Sequence, residues 1–228
     1  MARLFGKSAP NGAGRLTVRR YTKGDILSTD FFKHKAESYE QVKHRVANVE
    51  NIAACILRNV KLDKTMSVLD FGSGTGLLLE KVAPYVNKIT AVDISKSMNQ
   101  QLEKKREAIN CQLEILELDL SEEDLDMKFD GIISSMTMHH VRDIESMFRK
   151  FSSMLKRNGF IAIADLDTED GSYHTEDTGV FHLGFDRQDF LKMAQNSGFK
   201  ETNIELASTD HKPQGDYSVF LLTGVKSS

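Results

Sequence analysis

Three carboxylates fall where strands are expected to end. Asp70 stands two residues before the first glycine of Asp70-Phe71-Gly72-Ser73-Gly74-Thr75-Gly76. Asp93 closes Ala91-Val92-Asp93-Ile94-Ser95, and Asp119 lies in Leu118-Asp119-Leu120. Glycines between a strand and a helix allow positive φ and let a ligand approach the backbone, with loop amides and the helix N-terminus facing it. A dinucleotide fingerprint would need a glycine at 77, where Leu77 stands, and no Gly-Lys-Ser/Thr ending follows. A carboxylate at Asp70 would repel a pyrophosphate; it suits a ligand carrying an ammonium and a sulfonium. Asp93 could accept from both hydroxyls of a ribose. Its other reading is a helix N-cap, a duty that Ser95 can fill. Asp119 could accept from an adenine amino group, with Ile94, Met98 and Leu120 around the ring, although helix-core packing accounts for Met98 equally well.

Histidines supply the second chemistry. His139 and His140 follow the fourth expected strand, and an imidazole there could take a proton from a hydroxyl, thiol or activated carbon. The stretch Asp165 to His174, with His182 eight residues on, mixes carboxylates and histidines. Such a set could bind a divalent metal or form a solvated acidic loop. It lacks tight ligand spacing, so no metal is expected. The polar run from Asp165 to Gly184 is long for a structureless connection, and such loops often bind substrate. Tyr173, His174, Phe181 and His182 are therefore expected to border an acceptor pocket.

These residues need a scaffold, and the apolar pattern describes one. Thr29 or Asp30 could cap a first short helix, and Ala47, Ile52, Ala53, Ile56, Leu57 and Val60 form a stripe at helical spacing. Strands are expected at Ser67–Phe71, Lys88–Asp93, Gln112–Leu118, Phe129–Ser134 and Phe160–Ala164. Helices are expected at Leu77–Ala83, Ser95–Ile109 and Asp143–Lys156, the last stopped by Asn158-Gly159. A helix at Arg187–Asn196 and strands near Asn203–Ser208 and Tyr217–Val225 finish the chain. Alternation of this kind demands a parallel sheet with helices on both faces, and ligands then sit beyond the carboxyl ends of the strands.

Composition adds bounds. The 228 residues are 40% apolar and 28% charged, with a formal net charge of −3, an ordinary globular mixture that points to no polyanionic partner. Residues 1–28 read as a basic, loosely structured arm and 29–228 as a single domain. No apolar run is long enough to span a bilayer, and no secretory signal is apparent. Cys55 and Cys111 look like small buried hydrophobes, so a reducing, cytoplasmic compartment is expected.

The segments VLDFGSGTG (Val68 to Gly76), AVDIS (Ala91 to Ser95), LDL (Leu118 to Leu120), FDGIISSMTMHHV (Phe129 to Val141) and LKRNGFIAIADLD (Leu155 to Asp167) together resemble the class I S-adenosylmethionine-dependent methyltransferases. Within them the chain is similar to the small-molecule group that includes the ubiquinone and menaquinone C-methyltransferases. The resemblance implies a Rossmann-like, seven-stranded, mostly parallel sheet with an antiparallel last strand. It implies that Gly72, Ser73, Gly74 and Gly76 border the methionine part of the cofactor and that Asp70 orders its amino group. Asp93 would hold the ribose, Asp119 and Leu120 would meet the adenine, and Ser135 would lie near the sulfonium. Phe32 to Tyr39 resembles a lid helix, with Tyr39 closing over the cofactor. A His-His pair in this family often serves structure, which leaves His139 and His140 open between anchoring and proton transfer.

Methyl transfer from a sulfonium is an in-line displacement in which the protein supplies alignment and excludes water. A base is needed only if the acceptor holds a proton. The implied acceptor is a small molecule. Nucleic acid is not expected, since no RNA-binding module is present and Ser134-Ser135-Met136-Thr137 stands where an Asn/Asp-Pro-Pro-Tyr signature would mark base methylation. Two other readings remain open at this level: a cofactor-binding protein without turnover and a nicotinamide-dependent oxidoreductase. The oligomeric state is open too.

Overall fold

The computed structural model describes residues 30–176 and 178–227. The expected basic arm lies outside them, as does Thr29. Seven strands form one sheet: β1 (Ser67–Phe71), β2 (Lys88–Asp93), β3 (Gln112–Glu117), β4 (Phe129–Ser135), β5 (Leu155–Leu166), β6 (Phe199–Lys212) and β7 (Gly215–Lys226). Their order is β3-β2-β1-β4-β5-β7-β6. β1 to β5 pair in parallel, and β7 runs antiparallel to both β5 and β6. The Rossmann-like expectation therefore holds, including the reversed last strand.

Successive side chains of a strand point to opposite faces, and the two faces differ here. One carries Val68, Ala91, Ile133, Ala162 and Ala164 against α1 (Lys43–Asn59) and α2 (Leu77–Val82), where Ile52, Ile56, Leu79 and Val82 are buried. The other carries Leu69, Val92, Ile132, Ile161, Ile163 and Phe220 against α4 (Ile144–Met154) and α5 (Arg187–Asn196), which supply Phe148, Phe151 and Phe190. Each buried valine, leucine, isoleucine or phenylalanine among them contributes about 1.5–3 kcal/mol. The remaining helix, α3 (Lys96–Lys104), is shorter than expected and yields to a 3-10 turn at Arg106–Ala108.

Several boundaries differ from expectation. The helix expected to reach Lys156 ends at Met154, because Leu155 already pairs with Phe129 in β5. Asn158 takes a positive φ of 60° inside a bulged start to that strand rather than closing a helix. β6 and β7 extend well past the expected segments, with irregularities at Lys200/Asn203 and Leu206/Ser208. The Phe32–Tyr39 segment is a turn followed by a 3-10 helix at Ala36–Gln41. Asp30 serves a distant helix: it accepts from Phe32 N, Ser95 Oγ and Ser97 N at 3.1, 2.8 and 3.1 Å, tying the N-terminal segment to the start of α3.

Candidate active site

The glycine loop joins β1 to α2 at the carboxyl edge of the sheet. Gly72 N and Ser73 N donate to the Val92 carbonyl at 2.8 and 3.1 Å, which stitches the loop to β2. Asp93 completes the brace. Its Oδ2 accepts from Gly74 N at 2.8 Å and its Oδ1 from Ser95 N at 2.7 Å. One carboxylate thus fixes the two loops between which a ligand would lie. The expected cap, Ser95 Oγ, receives Met98 N at 3.2 Å. The glycines differ in their reasons. A side chain at Gly72 would collide with Thr137, and one at Gly76 with Leu102, whereas Gly74, at φ +53°, opens onto free space. Gly74 is the one that leaves room for a ligand.

Electrostatically the loop is unfinished. Asp70 is 1% exposed, and its Oδ2 has no hydrogen-bond partner among the described residues. Burial, then the charge of Asp93, push its pKa up to about 8. Burial also raises Asp93 to about 6, against the two amides that favour its charge. Ser73 Oγ, Thr75 Oγ1, Asn99 Oδ1 and Ser135 Oγ are likewise buried without partners. Buried polar groups are nearly always paired, so such a cluster points to a missing partner. Ile94, at 51% exposure, is among the few large apolar side chains left in the open, as the face of a bound purine would require. Met98 and Leu120 instead lie inside the fold, and Asp119 Oδ1 caps Ser121 N at 2.8 Å.

Met136, next to Ser135, adopts φ 58° while its N–H donates to the Ala164 carbonyl. A non-glycine residue in this region stores about 1–2 kcal/mol of strain, which marks the loop after β4 as held in place. The holder is Asp165, which sequence reasoning grouped with the acidic stretch. It accepts from His139 N at 3.2 Å, His139 Nδ1 at 2.6 Å and Leu166 N at 2.7 Å. The His139 carbonyl in turn receives Phe181 N and His182 N. Burial, followed by neighbouring His139, holds His140 down to about 3, although contacts with the Thr178 and Gly179 backbone favour its charged form. His139 is thus held by Asp165, and the His140 ring meets the Thr178 and Gly179 backbone.

Of the four expected pocket residues, Tyr173 and His174 join this group. The His174 ring lies 5.2 Å from His139, 6.2 Å from His140 and 4.8 Å from Tyr173. Phe32 stands 5.9 Å from His140 and 6.4 Å from Tyr39. His182 goes elsewhere: its Nε2–H donates to the Val141 carbonyl and its ring leans on Phe185 of the α5-side core. Phe181 is fixed through its amide, with the Arg142 guanidinium 4.9 Å from its ring. Among the described residues no three His, Cys, Asp or Glu side chains are placed to hold a metal ion. Asp210 and Lys212, which sequence reasoning did not select, also meet Tyr173, and His44 joins them through Asp210.

The sheet order, the reversed last strand and the acid-flanked glycine loop define a class I S-adenosylmethionine-dependent methyltransferase fold. The chain belongs to the methyltransferase domain family, whose sequence profile matches residues 40–206. An uncharacterised methyltransferase of Schizosaccharomyces pombe is 28% identical over 189 residues, covering 75% of this chain and 66% of its own. Among solved structures, the DhpI–SAH complex superposes with a TM-score of 0.71 at 16% identity, over 90% of this chain and 99% of that one. Magnesium protoporphyrin IX methyltransferase from Synechocystis PCC 6803 with bound SAH gives 0.65 at 17%, over 89% and 99%. The chain spans about two thirds or less of the length of the curated relatives it matches. No helix among the described residues is long and apolar enough to cross a membrane.

Proposed function

We propose that the protein transfers the methyl group of S-adenosylmethionine to a small-molecule acceptor. The observation that carries this is the set of buried polar atoms without partners around the glycine loop, with Asp70 Oδ2 at its centre. The residues present fit the methyl donor. Asp70 would face its ammonium, Gly74 would leave room for its methionine chain, Asp93 would hold the ribose and Ile94 would cover the adenine. The bound group supplies an electrophilic methyl on a sulfonium. The chain's own residues position and exclude water: Tyr39 and Phe32 cover the site from the N-terminal segment, while Asp165 and His139 hold the loop bearing Ser135. His140, held near pKa 3, is a weak base, and in this reading it orders the acceptor's surroundings. SAH bound to structural neighbours of the same fold supports the cofactor, and the neighbour that acts on magnesium protoporphyrin IX supports a small acceptor.

Calorimetry with S-adenosylmethionine and S-adenosylhomocysteine tests the first half. Saturable binding of both is expected, and heat from neither would overturn the reading. Mass spectrometry of small molecules incubated with the protein and labelled donor tests the second half and separates an enzyme from a cofactor-binding protein without turnover. A narrower expectation concerns Ile94. Ile94→Ser should change stability by less than about 0.5 kcal/mol, as exposed substitutions do. It should weaken S-adenosylhomocysteine binding about tenfold, the worth of 1–2 kcal/mol of covered apolar surface. Unchanged affinity would remove Ile94 from the adenine site.

A further inference from the structure

Beyond the strand ends lie two cations, Arg45 and Lys212, that have no carboxylate at ion-pair distance among the described residues. β6 runs in the same direction as β1 to β5, since both β6 and β5 are antiparallel to β7. Leu166, which ends β5, pairs with Val219, so the pairs from Thr209↔Ser218 to Lys212↔Gly215 overhang the ligand side of the sheet. That overhang carries Lys212. Its Nζ lies 3.3 Å from the centre of the Tyr173 ring and donates to the Tyr173 carbonyl at 2.9 Å. Arg45, in the first turn of α1, lies 3.9 Å over the Tyr39 ring and donates to the Tyr39 carbonyl at 2.8 Å.

The nearby acids meet other partners, except that Glu169 Oε1 is buried with none among the described residues. Asp210, 2% exposed, accepts from His44 Nδ1 at 2.7 Å with one oxygen and from Tyr173 OH at 2.9 Å with the other. Glu169 Oε2 receives the amides of Gly171 and Tyr173, and Glu176 pairs with Lys35. Burial pushes Lys212 down to about 8; Arg45 and Lys35 add to this, while Asp210 and Glu169 oppose it. His174 Nε2 is buried beside Tyr173 with no partner. Burial raises the Tyr39 pKa, Arg45 opposes the rise, and Asp93 and Asp210 add to it. Half-buried cations that make no ion pair among the described residues are costly to keep, and contact with an aromatic face returns only part of that cost.

We propose that the methyl acceptor carries an anionic group, a carboxylate or a phosphate, which docks on Arg45 and Lys212 beside the Tyr39 and Tyr173 rings. The proposal rests on the methyl-transfer reading for the role of the bound molecule, but anion binding itself can be read without cofactor. Nuclear magnetic resonance titrations of the full chain with sodium phosphate and with sodium acetate, at constant ionic strength, provide the test. The wild type is expected to saturate in the millimolar range with at least one of the two, and which one distinguishes phosphate from carboxylate. Lys212→Met and Arg45→Gln should each weaken that binding at least fivefold, while Lys212→Arg and Arg45→Lys stay within twofold. A wild type that binds neither anion, or neutralised variants that bind as tightly as the wild type, would overturn the proposal. The charge-keeping pair maintains the test if a neutral variant folds poorly: loss of binding in both while they melt like the wild type also counts against it. A parallel titration with S-adenosylhomocysteine reports on the methyl-donor site alone, so failure there is distinguishable from failure here.

Discussion

Asp70→Asn is expected to yield a ligand-free protein more stable than the wild type and unable to hold the methyl donor. The Asp70 carboxyl is 1% exposed, has an unpartnered oxygen, and is pushed up to about 8 by burial and by Asp93. The folded protein therefore binds this proton more tightly than the unfolded chain. Stability attributable to the group is intact below about pH 4 and is lost as pH rises toward 8. At about 1.4 kcal/mol for each pKa unit, the cost at neutral pH is on the order of a few kcal/mol. Asparagine keeps the shape and cannot ionise. The variant should melt several degrees higher near pH 8 and match the wild type near pH 4, since about 1 kcal/mol shifts a domain of this size by 2–4 °C. Binding should move the opposite way. A bound ammonium and sulfonium would favour an ionised Asp70, and losing a hydrogen bond to a charged group should weaken the donor by about a hundredfold. Thermal melts across that pH range and calorimetry with S-adenosylmethionine measure the two effects. Identical melts would mean that the carboxyl is not held against its charge in the fold. Full affinity would take Asp70 out of the site.

That trade explains which parts of the protein could be read from its sequence. The glycine loop and Asp93 were legible because their chemistry is local: a strand, a turn of stated spacing and an acid one strand over. The parallel sheet was legible for the same reason, since the first, second and fourth strands each carry an apolar run and lead into a helix. The acceptor side was not. Asp210 and Lys212 belong to an extension of β6 whose residues alternate in exposure without an apolar run, and His44 lies in a polar first turn of α1. Their meeting at Tyr173 depends on contacts spanning 166 and 37 positions. Asp165 stands in the acidic stretch, and nothing in the chain announces that it accepts from His139, 26 residues earlier. His182 was expected beside His174 for its proximity in sequence, yet the need of the Val141 carbonyl for a donor turns it toward Phe185.

The same pair, His139 and Asp165, yields the second large effect. Asp165→Ala should destabilise the protein by about 3–5 kcal/mol, because each buried donor left without its acceptor costs about 1–3 kcal/mol. Asp165 is fully buried and His139 1% exposed. The substitution strands three N–H donors in the interior and frees the loop that keeps Met136 at positive φ. The melting temperature should fall by roughly 10 °C or more, and methyl transfer should fall with it. His139→Gln separates anchoring from chemistry, because its amide can still donate to Asp165 but cannot accept and release a proton as an imidazole does. If the pair anchors the loop, His139→Gln should keep most of the stability and most of the turnover, and the double variant should cost less than the sum of the two singles. A His139→Gln protein that melts like the wild type while turnover drops a hundredfold or more would make His139 a proton carrier. In that case Asp165 orients a base, and the acceptor must present an acidic hydrogen near the His139 ring.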